Sequence, residues 1–268
     1  MKASARLRSV TAHLEELYRS RALVANLVQR EVAARYKRSV LGFLWTLLTP
    51  LMSLAVYWVV FTKVAASISV PNYAVFLFAG LLPWTWLSSS VLSGATSITA
   101  GGALITRICL PPQVLPAVTV LTQMVHFLLS IPIAFLAALV CGVRPGAELL
   151  LLPVLVLVLL GFTYGFAVLV AAITVRFRDV PFIVQNTVPL WFFLTPIAYP
   201  LDTIPAGVRW LYHANPATGL ILPFVDVLYR SRLPDPLMIA TSIVWTCGLL
   251  VAGVLVFEAL RNSFAQEI

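Results

Sequence analysis

Six long runs without a charged residue, at 40–62, 73–93, 114–142, 149–175, 180–201 and 237–257, leave this chain few ways to fold. At about 1.5 Å per residue, each run is long enough to cross roughly 30 Å of hydrocarbon as a helix. The residues are 60% hydrophobic and only 10% charged, against about 25% charged in a soluble domain. The runs use up most of the chain and leave no room for a large domain outside the bilayer. The expected fold class is an all-α polytopic membrane protein with six transmembrane helices.

The net charge is +8, yet the basic residues flank the apolar runs and are not interleaved with aromatics on a soluble surface. They read as topology signals, and no nucleic-acid partner is expected. Lys2, Arg6, Arg8, Arg19, Arg21, Arg30, Arg35, Lys37, Arg38, Arg107, Arg176, Arg178 and Arg261 fall on one side of the six runs. Only Lys63, Arg144, Arg209, Arg230 and Arg232 fall on the other. The basic-rich side is expected in the cytoplasm, and six spans put both termini there. Cys109, Cys141 and Cys247 are far apart and suggest neither a disulfide framework nor a zinc site. Residues 1–38 carry repeated charges and no apolar core, so they are not expected to be a signal peptide.

Three irregular pieces interrupt the runs. In the first, residues 1–39, Thr11 is expected to cap a short helix with Leu14, Leu17 and Tyr18 on one side. A second helix is expected over 21–36, with Leu23, Val24, Leu27, Val28 and Val32 apolar and Asn26, Gln29 and Arg30 opposite. This piece is too charged to span, and an interfacial helix fits it. Residues 40–268 then form the transmembrane domain. Between the second and third runs, Gly101-Gly102 and Pro111-Pro112 bracket a short helix over 103–110. It presents Leu104, Ile105, Ile108 and Leu110 around Arg107, and serves either a cytosolic partner or its own bundle. After the fifth run, Asp202 or Thr203 is expected to cap a helix reaching His213. Asn215-Pro216 then opens a second helix reaching about Tyr229. Neither is long enough to span, which suggests a re-entrant or interfacial pair at the outer face.

The chemistry that is missing narrows the function. No GxxxxGK[ST] is present, so this chain does not hydrolyse ATP through a P-loop. No acidic residue lies in any run, whereas ion-coupled transporters and intramembrane hydrolases usually show buried acids or metal ligands. His126 and Gln123 read as an interhelical hydrogen-bonding pair. Pro50, Pro83, Pro116, Pro132, Pro153, Pro189 and Pro196 lie within the first five runs, where proline removes a backbone donor and bends a helix.

One ordered set of short motifs carries a resemblance. Arg35, Tyr36, Lys37, Ser39, Leu41, Gly42, Trp45 and Pro50 open it. Ala79-Gly80-Leu81-Leu82-Pro83-Trp84, Phe177-Arg178-Asp179, Leu194-Thr195-Pro196-Ile197 with Tyr199, and Asn215-Pro216 follow in order. Together they resemble the permeases of type-2 ABC exporters, more narrowly those of polysaccharide, O-antigen and teichoic acid export in the bacterial inner membrane. The resemblance implies a homodimer working with two copies of a separate cytoplasmic ATPase. ATP and Mg would be bound by that partner, and no cofactor by this chain. It also implies an interfacial helix, a coupling helix (Leu104, Ile105, Arg107, Ile108) and two short outer helices. The implied substrate is a glycan on a lipid pyrophosphate carrier, handled among membrane lipids.

By position, the resemblance maps an aromatic channel belt onto Tyr57 and Phe61 in the first run and Trp191, Phe192 and Phe193 in the fifth. Rings stack on the C–H faces of sugars without holding any one hydroxyl, so a polymer can slide past them; the same rings also suit helix packing or an interfacial belt. Arg35, Lys37 and Arg38 lie where they could attract the pyrophosphate, although topology calls for basic residues there in any case. Export of a drug or small lipid, an intramembrane enzyme acting on lipid-linked sugars, and a membrane scaffold are the other readings.

Overall fold

The structure, a computed structural model, describes residues 2–36, 44–60, 70–108, 110–144 and 146–267. The first described elements, α1 (Lys2–Arg19) and α2 (Arg21–Tyr36), are joined at Ser20, α1 packing on α11 and α2 on α6. α1 runs unbroken through Thr11, so Thr11 caps nothing. The residues before it include Ala and Arg and contain no breaker, so the helix starts earlier. α2 has the expected bounds. Its Val24 is buried, with Leu27 and Val28 beside it, against the start of α6 (Val114–Val140).

All regular structure among the described residues is helical. The segments Tyr73–Ala100 (α4), α6, Ala147–Arg176 and Pro236–Ser263 are long and apolar enough to cross a bilayer. The last two comprise α7 (Leu152–Arg176) and α11 (Pro236–Leu260) with the 3-10 turns adjoining them. Among the described residues the first run shows α3 (Leu44–Val59) and the fifth a short apolar helix, α8 (Val180–Phe193). α8 stops early because Pro196 offers no N–H and its ring would clash with the carbonyl of Phe192. The prolines also divide by place. Pro50, Pro83, Pro132 and Pro189 lie inside helices, whereas Pro153 is in the first turn of α7. Pro116 is in the first turn of α6. There the N–H lacks an intrahelical partner in any residue, so these two are no reason to bend.

α4 is the central helix. It packs on α3, α6, α7, α8 and α10 (Pro216–Leu228). Trp86 stacks on Phe127 of α6 with ring centroids 5.0 Å apart, and its indole N–H donates to the Val120 carbonyl at 3.2 Å. α7 and α11 form the closest pair. Gly161 and Gly165, spaced as small-xxx-small, let the backbones approach. A Cβ on Gly165 would lie 2.7 Å from Leu250 Cα, and one on Gly253 would collide with the Gly165 carbonyl.

The outer helices differ from expectation in their starts. Asp202 and Thr203 lie in a 3-10 turn, and α9 (Ala206–Ala214) begins after Pro205. The residue before a proline is driven extended, and Ile204, at ψ 130°, is extended; the helix cannot open any earlier. α10 opens at Asn215-Pro216 as expected and is almost wholly buried. Its Asp226 is 2% exposed and accepts from Arg230 Nη1 at 2.9 Å and Arg232 Nε at 3.0 Å, so this carboxylate is a paired structural group. α5 spans Gly102–Ile108, ending before the expected Leu110 because Leu110 precedes Pro111. α12 (Phe264–Glu267) closes the described chain.

Candidate functional site

Around α4, the helices α3, α6, α7 and α8 follow one another: α3 leans on α4 and α6, and α8 on α4 and α7. Among the described residues, the face of α4 between α3 and α8 is uncovered. Its outward residues are hydroxylated. Thr85, Ser93, Thr96 and Thr99 are exposed, and Ser88 and Ser89 are half-buried. They recur at helical spacing over roughly 21 Å of rise. A lipid-facing stripe would be apolar. Thr85, Ser88, Thr96 and Thr99 donate to carbonyls three residues back, at 2.8, 3.3, 3.4 and 3.0 Å. Their donors are thus satisfied, and lone pairs remain to accept from an outside hydroxyl.

On the α8 side of this stripe lies an apolar groove of about 540 Å³, whose walls include Trp84, Thr85, Ser88, Phe192, Phe193 and Tyr199. The rings are organised by α4. Trp84 meets Trp191 edge-on at 5.8 Å and Phe192 at 5.7 Å, and Phe166 of α7 meets Trp191 at 6.0 Å. Trp191 is anchored, since its indole N–H donates to Asn215 Oδ1 at 2.8 Å. Phe193 is the most open of the three expected α8 rings, at 67% exposure. Trp191 and Phe192 are half-buried. Tyr57 belongs to α3, but its side chain is outside the described residues, as is all of Phe61. α3, whose backbone includes Tyr57, and α8, which carries Trp191, Phe192 and Phe193, stand on opposite flanks of α4.

Asn215 ties this groove to the outer helices. Its amide donates to the Leu194 carbonyl at 2.9 Å and to Thr195 Oγ1 at 3.2 Å. Its oxygen also accepts from Ala217 N at 3.0 Å, capping α10. Asn215-Pro216 is thus a helix start that also satisfies the carbonyl freed where α8 ends.

On the α3 side lies a second cavity, of about 400 Å³ and mixed in character. Arg35, Thr49, Ser53, Gln123, His126 and Ser130 are among its polar lining, and Trp45, Trp86 and Phe127 are its rings. Thr85 borders both spaces. Gln123 and His126, expected to join helices, line this cavity. Of the three expected pyrophosphate-attracting residues, Arg35 is exposed and lines it too, while Lys37 and Arg38 lie outside the described residues.

At the α5 end of the bundle, Leu104 and Ile105 are half-buried against Val24, Leu110, Val114 and Leu115. Arg107 and Ile108 lie on the α5 backbone, with side chains outside the described residues. Nearby, α1 is fastened to α11 and α7. His13, 1% exposed, has Nδ1 2.8 Å from Glu258 Oε1 and Nε2 2.9 Å from the Tyr164 hydroxyl. Both contacts suit a neutral ring with Nδ1–H donating to the carboxylate and Nε2 accepting from the phenol. Burial holds the His13 pKa below its ordinary value, with Glu258 partly opposing. Arg261 grips Glu16 bidentately at 2.8 and 2.9 Å, lowering the Glu16 pKa.

Trp84, Asn215, Tyr199 and the α4 hydroxyls were not among the expected site residues. Trp84, Tyr199 and Asn215 sat within the resembling motifs, and the hydroxyls were visible as a Ser/Thr period on α4. Neither signal says which face is left open.

Comparisons with known proteins place the chain among transport permeases. The profile of the ABC-2 type transporter family matches residues 22–229. Over 259 residues the chain is 43% identical to the O-antigen export system permease protein RfbA of Myxococcus xanthus, covering 95% of this chain and 98% of that relative. Over 247 residues it is 30% identical to an O-antigen export system permease protein RfbA of Klebsiella pneumoniae, covering 91% of this chain and 94% of that one.

Proposed function

This chain belongs to the ABC-2 type transporter family, and on that premise we propose that it is the membrane subunit of an exporter that moves a lipid-linked polysaccharide across the bacterial inner membrane. It is a multi-pass membrane protein whose relatives are O-antigen export permeases. The observation that carries the substrate reading is the open face of α4. A stripe of back-bonded hydroxyls there runs into a groove of rings. A sugar polymer needs both surfaces: acceptors for its hydroxyls and ring faces for its C–H patches. Each ring contact is worth only about 0.5–1.5 kcal/mol beyond area burial, taking aromatic pairs as a proxy. Contacts of that size break and re-form as a chain advances.

The open face is half a pathway. A homodimer placing two such faces together would enclose it, and would bring α3, with Tyr57 on its backbone, near Trp191, Phe192 and Phe193 of the other copy; Phe61 follows Tyr57 in the same run. Both termini would then be cytoplasmic, with α3 and α8 completing six passes through the bilayer. Arg35, Lys37 and Arg38 would attract the pyrophosphate at the cytoplasmic mouth. A separate ATPase, binding ATP and Mg, would push on α5 through Leu104, Ile105, Arg107 and Ile108. The chemistry of this chain is that of a conduit, and hydrolysis belongs to the partner.

The test is export by vesicles holding this chain and its ATPase. Thr85→Leu with Ser88→Leu makes the stripe apolar without touching the core, and Phe193→Ala removes the most open ring. Each should cut long-glycan export at least fivefold while ATPase co-purification stays unchanged. Export at the normal rate by both well-folded variants would place the glycan path elsewhere. Failure of the unaltered pair to export any glycan would sink the reading itself.

A further inference from the structure

The wall of α6 facing away from the polar cavity carries a second groove, of about 530 Å³, formed with α1 and α2. Leu14, Leu17, Val24, Val28, Leu121 and Met124 are among its apolar lining. At 3.6 residues per turn, Leu121, Met124 and Val125 point roughly opposite to Gln123, His126, Phe127 and Ser130. The groove is thus separated by α6 from the proposed glycan path. It also has a direction. Leu121 to Val125 lie roughly 10–17 Å along α6 from its first residue, a length over which an acyl chain can lie. At the opposite end, where α1 turns into α2, the rim is cationic. The Arg21 guanidinium lies 4.4 Å from the centre of the Tyr18 ring, which fixes its position without consuming its hydrogen-bond donors.

Charge at this rim favours an anion. Residues 2–36 hold seven Lys and Arg against three Glu. Glu16 is bound to Arg261 and Glu31 lies 3.5 Å from the Thr122 hydroxyl, which leaves Glu15 as the acid nearest the rim, with Arg19 and Arg21 exposed beside it.

We infer that this groove is a binding site for one anionic phospholipid of the cytoplasmic leaflet, with an acyl chain lying along α6 and the phosphate on Arg21. The leaflet assignment uses the topology proposed above, but the chemistry does not depend on it. The lipid would act as mortar between α1, α2 and the bundle, filling a space that the described residues leave unfilled.

Native mass spectrometry of the full chain in detergent tests this with phosphatidylglycerol and phosphatidylcholine of identical chains, each added separately. The unaltered chain should retain one phosphatidylglycerol at least fivefold better than phosphatidylcholine. Arg21→Gln should remove that preference, and Arg21→Lys should keep most of it, since a charge at the rim is what is needed. Ala25→Phe fills the groove from an exposed position and should lower retention of both lipids at least fivefold, with the melting profile showing an intact fold. Equal retention of the two lipids, or full retention by the Ala25→Phe variant, would overturn the proposal. So would displacement of phosphatidylglycerol by a polyprenyl phosphate at equal concentration, which would assign the groove to the exported carrier.

Discussion

α7 and α11 meet backbone to backbone across glycines, whereas α3 and α8 only lean on the bundle. In the first pair a single methyl has no room, because the atoms it would strike belong to main chain. In the second, large apolar side chains stand outward: Val56 on α3 at 60% exposure, Leu190 on α8 at 63%. Both pairs are built from similarly apolar sequence, and their hydrophobicity does not tell them apart. Small residues spaced four apart commit one pair to each other. In the other pair, branched and aromatic residues stand outward, and prolines shorten or bend the helix.

The sharpest way to break this contrast is Gly165→Leu. Overpacking usually costs about 1–3 kcal/mol, and the upper end is expected because Leu250 main chain cannot move aside. The variant should lose most of its monodisperse fraction in detergent, while a substitution of the same bulk at exposed Gly248, Gly248→Leu, should not. Equal behaviour of the two would mean that the α7–α11 seam is no tighter than the rest. Next in size is Asn215→Ala, at the joint between the open and the packed regions. It strips the α10 cap and leaves the Leu194 carbonyl and the Trp191 N–H unpaired, for about 1–2 kcal/mol. Asn215→Asp keeps the acceptor and should fall between wild type and alanine in thermal midpoint. A midpoint unchanged by either would detach α8 from α10.

A smaller effect is expected where α1 is fastened to the packed side. His13 has a folded pKa below 6.5. Its contribution is therefore complete above about pH 6.5 and is lost as pH falls through the folded value, since the unfolded ring takes its proton first. Glu16, lowered from 4.5, acts in the same direction further down. Hydrogen exchange in α1 should speed up between pH 7.5 and 5.5 while α7 exchange, corrected for intrinsic rate, stays constant. His13→Gln should flatten the dependence, and an unchanged profile would show that the buried ring is not what fastens α1.

Much of this protein was legible without coordinates. The absence of charge over the runs pointed to helices in lipid, and four segments among the described residues are long and apolar enough to cross a bilayer. The Gly and Pro brackets placed α5 within two residues, and Asn215-Pro216 placed the start of α10. Thr11, Asp202 and Thr203 misled because each is a competent cap in isolation. Whether a cap is used depends on what precedes it, and α1 needs no start at Thr11 while Pro205 forbids one at Asp202. Only the tertiary structure decided which side of each helix is left open. Ser88, Ser93 and Thr96 on α4 look like ordinary helix hydroxyls until α3 and α8 are seen to stop short of covering them. Burial is a property of neighbours, and a sequence names a residue's chemistry without naming the helix that will stand beside it.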